Sequence, residues 1–131
     1  MNSDLDNEGR RFFSIRSRFR SFSYALNGIA RFFKEEHNAR IHLVATVCVG
    51  FMSYHVRLRG VELLLIIGVT GAVWVAEIFN TVVERIMDHL SPSYHTDVKY
   101  IKDLSAGAVL CTSIVAIIAG SIIFIPKIFN Q

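Results

Sequence analysis

Three apolar runs, Ile41 to Val56, Val61 to Val83 and Leu104 to Ile125, constrain this chain more than any other feature of its sequence. A helix rises about 1.5 Å per residue and the hydrocarbon of a bilayer is about 30 Å thick. The second and third runs are therefore long enough to cross it, while the first needs its flanking residues. A soluble bundle of buried helices would show polar faces in these runs, and Leu63 to Ala76 and Ala106 to Ile125 hardly do. The expected fold is all-α and integral to the membrane, with three transmembrane helices. Composition agrees, with 52% hydrophobic against 19% charged residues. At 131 residues the chain has room for one domain. Two prolines, eight glycines without a period and two cysteines exclude disordered, collagen-like and disulfide-stapled chains.

Charge is sorted along the chain. Eleven Lys and Arg residues lie before the first run or between the second and third, counting Arg10, Arg11, Arg16, Arg18, Arg20, Arg31, Lys34, Arg40, Arg85, Lys99 and Lys102. Only Arg57, Arg59 and Lys127 fall on the other side. The amino terminus and the loop from Arg85 to Lys102 are therefore expected to face the cytoplasm. No cleavable signal is expected, since the first apolar run begins only at position 41.

Phe19, Phe22, Leu26, Ile29 and Phe33 recur at three- and four-residue spacing among Arg20, Arg31 and Lys34. That pattern predicts a basic amphipathic helix over residues 17–36, lying in the membrane interface with its cations among anionic headgroups. Residues 1–16 are expected to be a disordered basic tail, 37–125 the three-helix transmembrane region, and 126–131 a short tail.

Ionisable groups inside an apolar span cost several kcal/mol each, on the order of translocon scales, and are usually kept for function. The second run contains one at Glu77. At about 100° per residue, Glu77, Asn80, Glu84 and Asp88 fall within an arc of about 80°. They make one polar stripe from within the bilayer to the cytoplasmic surface. The deepest member is a carboxylate able to take a proton from a hydroxyl held at that depth. Clustered carboxylates repel one another unless a cation sits among them, and oxygen ligands in a phosphate context suit Mg²⁺. Glu35, Glu36 and the pair Lys102-Asp103 are further candidates at that level. Lys102 is placed for polyphosphate, and Asp103 to hold metal indirectly or orient the lysine. Glu84 with Lys102 also reads as a simple structural ion pair, and Asp88 and Lys99 as solvated edge charges. Arg40, His37 and His42 read as side chains snorkelling to headgroups, and Trp74 as packing. Cys48 and Cys111 read as small apolar residues, and no P-loop, GxGxxG or HExxH occurs.

Two stretches, Glu77-Ile-Phe-Asn80-Thr81-Val-Val-Glu84-Arg-Ile-Met-Asp88 and Tyr100-Ile-Lys102-Asp103-Leu-Ser-Ala106-Gly107-Ala108-Val109, closely resemble the prokaryotic diacylglycerol kinase family, which includes undecaprenol kinases. The form E-x-x-N-[TS]-x-x-E-x-x-x-D, followed some fourteen residues on by K-D-x-x-[AS]-[AG]-A-V, is matched at that spacing. The resemblance extends upstream through Phe22 to Gly28 and Glu36 to His42 and covers roughly residues 17–125. It implies a membrane enzyme with three transmembrane helices and an amino-terminal surface helix, a homotrimer with sites shared between subunits. It implies ATP-dependent phosphorylation of the hydroxyl of a lipid, undecaprenol or diacylglycerol. By position, Glu77 would be the general base, and Glu36 and Glu84 would hold Mg²⁺ on the ATP phosphates. Asn80 and Asp88 would support that site. Tyr24, Ser93, Tyr94, His95, Lys102 and Asp103 would contact nucleotide together with Glu36 and Glu84. Asn38, Ala39, Arg40, Ile41 and His42 would border the lipid entrance.

Where some family members carry an arginine, this chain has Ser17 between Arg16 and Arg18, and its Ser91 to Asp97 loop also differs from theirs. The stretch Glu36 to His42 looks more like the undecaprenol kinase branch. A different class of function, a proton- or cation-conducting oligomer, would need polar residues along the whole span. Leu63 to Val75 offers only Thr70 and two glycines, so the stripe stops midway.

Overall fold

The computed structural model describes residues 15–91 and 95–129. Four helices follow in order: α1 (Ile15–Glu35), α2 (His37–His55), α3 (Gly60–Leu90) and α4 (Thr96–Phe129). Among the described residues there is no strand.

Helix α1 forms a unit of its own. It starts two residues ahead of the expected 17, within the usual uncertainty of a helix end. Phe19, Phe22, Leu26 and Ile29 of its apolar face are exposed, while Phe33 is half-buried. Arg31 is bonded one turn on to Glu35, Nε to Oε1 at 2.6 Å. Residues 1–14 of the expected tail lie outside the described residues.

The second unit comprises residues 36–131. In it α3 packs along α4, and α2 meets α3 more sparsely. Helix α2 ends where Arg57 takes a left-handed conformation (φ 55°). The Leu58 N–H then reaches the Ser53 carbonyl at 2.9 Å, and the Arg57 N–H reaches that of Tyr54 at 3.1 Å. These two bonds satisfy carbonyls that the last helical turn leaves open. They also turn Val56 and Leu58 inward to form a small core with Ile66 and Phe124. Gly60, again at φ 55°, opens α3 without the penalty a side chain would bring.

Helices α3 and α4 are long and apolar enough to cross a membrane, with mean hydropathies of 2.0 and 2.6 over their most apolar windows. Only 17% and 6% of those windows is buried within the chain. That contradicts a soluble bundle, whose core helices would be covered; hydrocarbon is the solvent for which such surfaces are fitted. Helix α2 does not reach the same standard among the described residues. Its 19 residues include His37, Arg40, His42 and His55, which lower its apolarity at both ends. Helix α4 continues through Pro126 to Phe129, beyond the Ile125 at which the apolar run stops. Its last turn is tied back to the start of α3 by Lys127 Nζ and Glu62 Oε2, 3.0 Å apart.

Candidate functional site

Glu77 is the most enclosed large side chain among the described residues, 2% exposed. Helical spacing along α3 buries Asn80 and Thr81 with it, half-buries Glu84 and leaves Asp88 exposed. The deep half of the polar stripe is thus covered within a single chain. The long run of α4 beside α3 supplies that cover.

The stripe is wired to α4. The Ser105 hydroxyl lies 2.6 Å from Asn80 Oδ1 and 2.9 Å from the Lys102 carbonyl, within range to donate to either. Asn80 Nδ2 donates to Glu84 Oε1 at 3.1 Å. Asn80 therefore orients Glu84, and Ser105 in turn fixes which way the Asn80 amide points. Nearer the surface, Lys102 Nζ donates to Asp88 Oδ1 at 2.8 Å. That hydrogen bond, aided by the charges of Asp88 and Glu84, holds the Lys102 ammonium above the ordinary lysine range. Lys102 thus takes Asp88 as its partner, not Glu84, and Asp103 pairs with Lys99 one turn away. Asp103 does not orient Lys102, because residues i and i+1 of a helix point in different directions.

Glu36 precedes α2 and accepts from Arg85 Nη2 at 2.7 Å. Together with His42 and Glu84 it is one of the charges that Glu77 experiences. Among the described residues, no group of three or more His, Cys, Asp or Glu side chains stands ready to hold a metal ion alone. Glu36 is engaged with Arg85 and Glu84 with Asn80.

Asn38, Ala39, Arg40, Ile41 and His42 form the first turns of α2, with Ala39 fully buried and Asn38, Arg40 and Ile41 exposed. His42 Nε2 lies 3.9 Å from Glu77 Oε2. Ile41 and His42 also line an apolar groove of about 560 Å³ that α3 and α4 complete with Trp74, Val73 and Phe124. His95 is exposed, and its Nδ1 accepts the Asp97 N–H at 3.3 Å at the start of α4. Ser93 and Tyr94 lie outside the described residues, as does the side chain of Arg16. Tyr24 is exposed on α1, in the separate unit, as are Ser17 and Arg18.

In this neighbourhood Thr46 and Ser105 were not singled out by the sequence, and Trp74 and Arg85 were read only as packing and as a cytoplasmic charge. The first two carried a readable signal. Thr46 stands one turn after His42 in an otherwise apolar run, and Ser105 stands one turn after Lys102. Arg85 and Trp74 gave none, since their partners come from α2 and the residues before it.

The prokaryotic diacylglycerol kinase profile matches residues 23–124. An undecaprenol kinase of Bacillus subtilis is 32% identical over 125 residues, covering 95% of this chain and 97% of the relative. A diacylglycerol kinase of Synechocystis is 32% identical over 111 residues, 84% of this chain and 63% of that longer relative.

Proposed function

The chain belongs to the prokaryotic diacylglycerol kinase family and is a lipid kinase, and on that premise we propose that it transfers the γ-phosphate of ATP to the hydroxyl of a membrane lipid alcohol. The observation that carries this reading is the burial of Glu77 at the inner end of a stripe that opens toward Lys102. A base enclosed at membrane depth meets a hydroxyl that the bilayer confines to the headgroup plane. A lysine and two further carboxylates wait where a nucleotide would approach from water. Phosphoryl transfer asks a protein chiefly for positioning and charge stabilisation, which these residues provide.

Glu77 receives the hydroxyl proton as the lipid oxygen attacks the γ-phosphorus, and ADP leaves. Asn80 keeps Glu84 aimed outward, and Lys102 exchanges Asp88 for phosphate oxygens. His95 and Asp103 belong to the nucleotide site in this reading, and Tyr24, Ser93 and Tyr94 are further contacts that the family resemblance implies. The donor set fits Mg²⁺, which is commonly held by one or two carboxylates together with substrate phosphates and water. Glu36 and Glu84 would be those carboxylates, and the ion would neutralise charge on the phosphates.

Undecaprenol, giving undecaprenyl phosphate, is the proposed acceptor ahead of diacylglycerol, giving phosphatidic acid. End-to-end similarity to an undecaprenol kinase supports that order. The groove lined by Ile41 and His42 is apolar enough for the lipid chain, and in this reading Asn38, Ala39 and Arg40 border its entrance. The amino terminus and the α3–α4 loop lie in the cytoplasm, α1 rests on the membrane surface, and α2 makes the third crossing. The working unit is a homotrimer with shared sites, a state that cross-linking in the membrane would report. Competition between undecaprenol and diacylglycerol for labelled phosphate tests the acceptor. Ion flux through vesicles of the same preparation, without phosphate transfer, would instead support the conducting oligomer.

A further inference from the structure

His42 is fixed beside Glu77 by more contacts than snorkelling to a headgroup would need. Its ring stands edge-on to the Trp74 indole, with centroids 6.2 Å apart and planes at 65°. Trp74 Nε1–H donates to Thr46 Oγ1 at 3.0 Å, and the Thr46 hydroxyl lies 2.8 Å from the His42 carbonyl, one turn back. Two residues of α2 and one of α3 thus form a closed clasp one turn from Glu77. Helix α2 meets α3 sparsely, and this clasp ties the two helices together beside the imidazole. The 3.9 Å gap to Glu77 is longer than a hydrogen bond. Catalytic hydrogen bonds are often long without substrate and shorten in its presence.

A base with 2% exposure faces a problem of its own, because every turnover delivers a proton that must leave. The charges facing Glu77 are His42 from α2, Glu84 from its own helix and Glu36 from ahead of α2. Of these side chains only the imidazole has one ring nitrogen that can accept a proton and a second that can give one up. The His42 side chain is 21% exposed at the edge of the groove, whereas Glu77 is closed off.

We infer that His42 is a positioning residue acting through Glu77, holding the carboxylate toward the lipid hydroxyl and then carrying its proton away. The lipid O–H bond breaks as its proton goes to Glu77. The new oxygen–phosphorus bond forms as the bond from the γ-phosphorus to the leaving ADP breaks. The proton then passes from Glu77 Oε2 to His42 Nε2, and the imidazolium releases a proton to water, restoring the neutral ring. This role rests on the reading of Glu77 as the base.

The test uses the full chain in lipid–detergent micelles with labelled ATP, measuring kcat and both KM values. His42→Gln, close to histidine in size, is expected to lower kcat about tenfold or more with each KM within about threefold. His42→Ala leaves room for free imidazole, and added imidazole is expected to restore its kcat, a response that a merely structural histidine would not give. Wild-type kcat in His42→Gln, or a loss in His42→Ala that imidazole leaves untouched, overturns the assignment. Glu77→Gln separates the two ideas. Abolished turnover there beside an unimpaired His42→Gln removes the role of His42 alone, and normal turnover in Glu77→Gln removes both.

Discussion

Lys102 on α4 is bonded to Asp88 on α3, Nζ to Oδ1 at 2.8 Å, across the polar end of the two helices. The pair lies near the surface, with a third of the lysine side chain and two thirds of the aspartate side chain exposed. An ion pair this exposed holds a side chain loosely, so Lys102 is free to be drawn to a stronger anion. Lys102→Gln is accordingly expected to raise the KM for ATP about tenfold or more, as loss of a charged hydrogen bond does, while leaving the lipid KM nearly unchanged. Steady-state kinetics with each substrate varied in turn checks this; an unchanged ATP KM would remove Lys102 from the nucleotide site.

Glu77→Gln keeps the shape of the side chain and removes its capacity to accept a proton. Turnover is expected to fall by about 10² to 10⁴, the usual contribution of general base catalysis. Transfer of labelled γ-phosphate to a lipid alcohol measures it. A near-normal rate would defeat the assignment of Glu77 as base.

Glu84→Gln removes one of two carboxylates proposed for the metal. The Mg²⁺ concentration giving half-maximal activity is expected to rise sharply, by roughly tenfold or more, as charged interactions of this kind are worth. A metal titration superimposable on that of the wild type would count against Glu84 as a ligand.

Ser105→Ala deletes the hydroxyl beside Asn80 Oδ1 and, through it, loosens Glu84. A net loss of about 1 kcal/mol in stability is expected from one hydrogen bond in a partly buried network. A smaller rise in the Mg²⁺ midpoint than Glu84→Gln produces should accompany it. Thermal unfolding in micelles and the same metal titration read the two effects.

Arg57→Gly should stabilise the protein. A side chain at φ 55° carries a steric cost of about 1 kcal/mol that glycine avoids, and the capping bonds of α2 use backbone atoms alone. The expected result is a Tm raised by a few degrees; a lowered Tm would show that the arginine side chain contributes more than its backbone costs.

The fold class, the two helices long and apolar enough to cross a membrane and the placement of Glu77, Asn80, Glu84 and Asp88 on one side of α3 were readable in the sequence. All three depend on local geometry, because hydropathy, length and 3.6-residue periodicity need no knowledge of what lies across from a helix. Helix α2 was less legible, since charged and histidine residues at its ends dilute an apolar run already short.

Pairings between helices were decided only by the tertiary structure. Spacing put Lys102 at the level of Glu84, yet it is Asp88 that Lys102 reaches, and Arg85 reaches back to Glu36 across 49 positions of chain. The clasp of Trp74 with Thr46 and His42 depends in the same way on how far α2 is turned about its axis. Rotation and axial offset between packed helices arise from many weak side-chain contacts made at once, and a one-dimensional pattern contains no term for them.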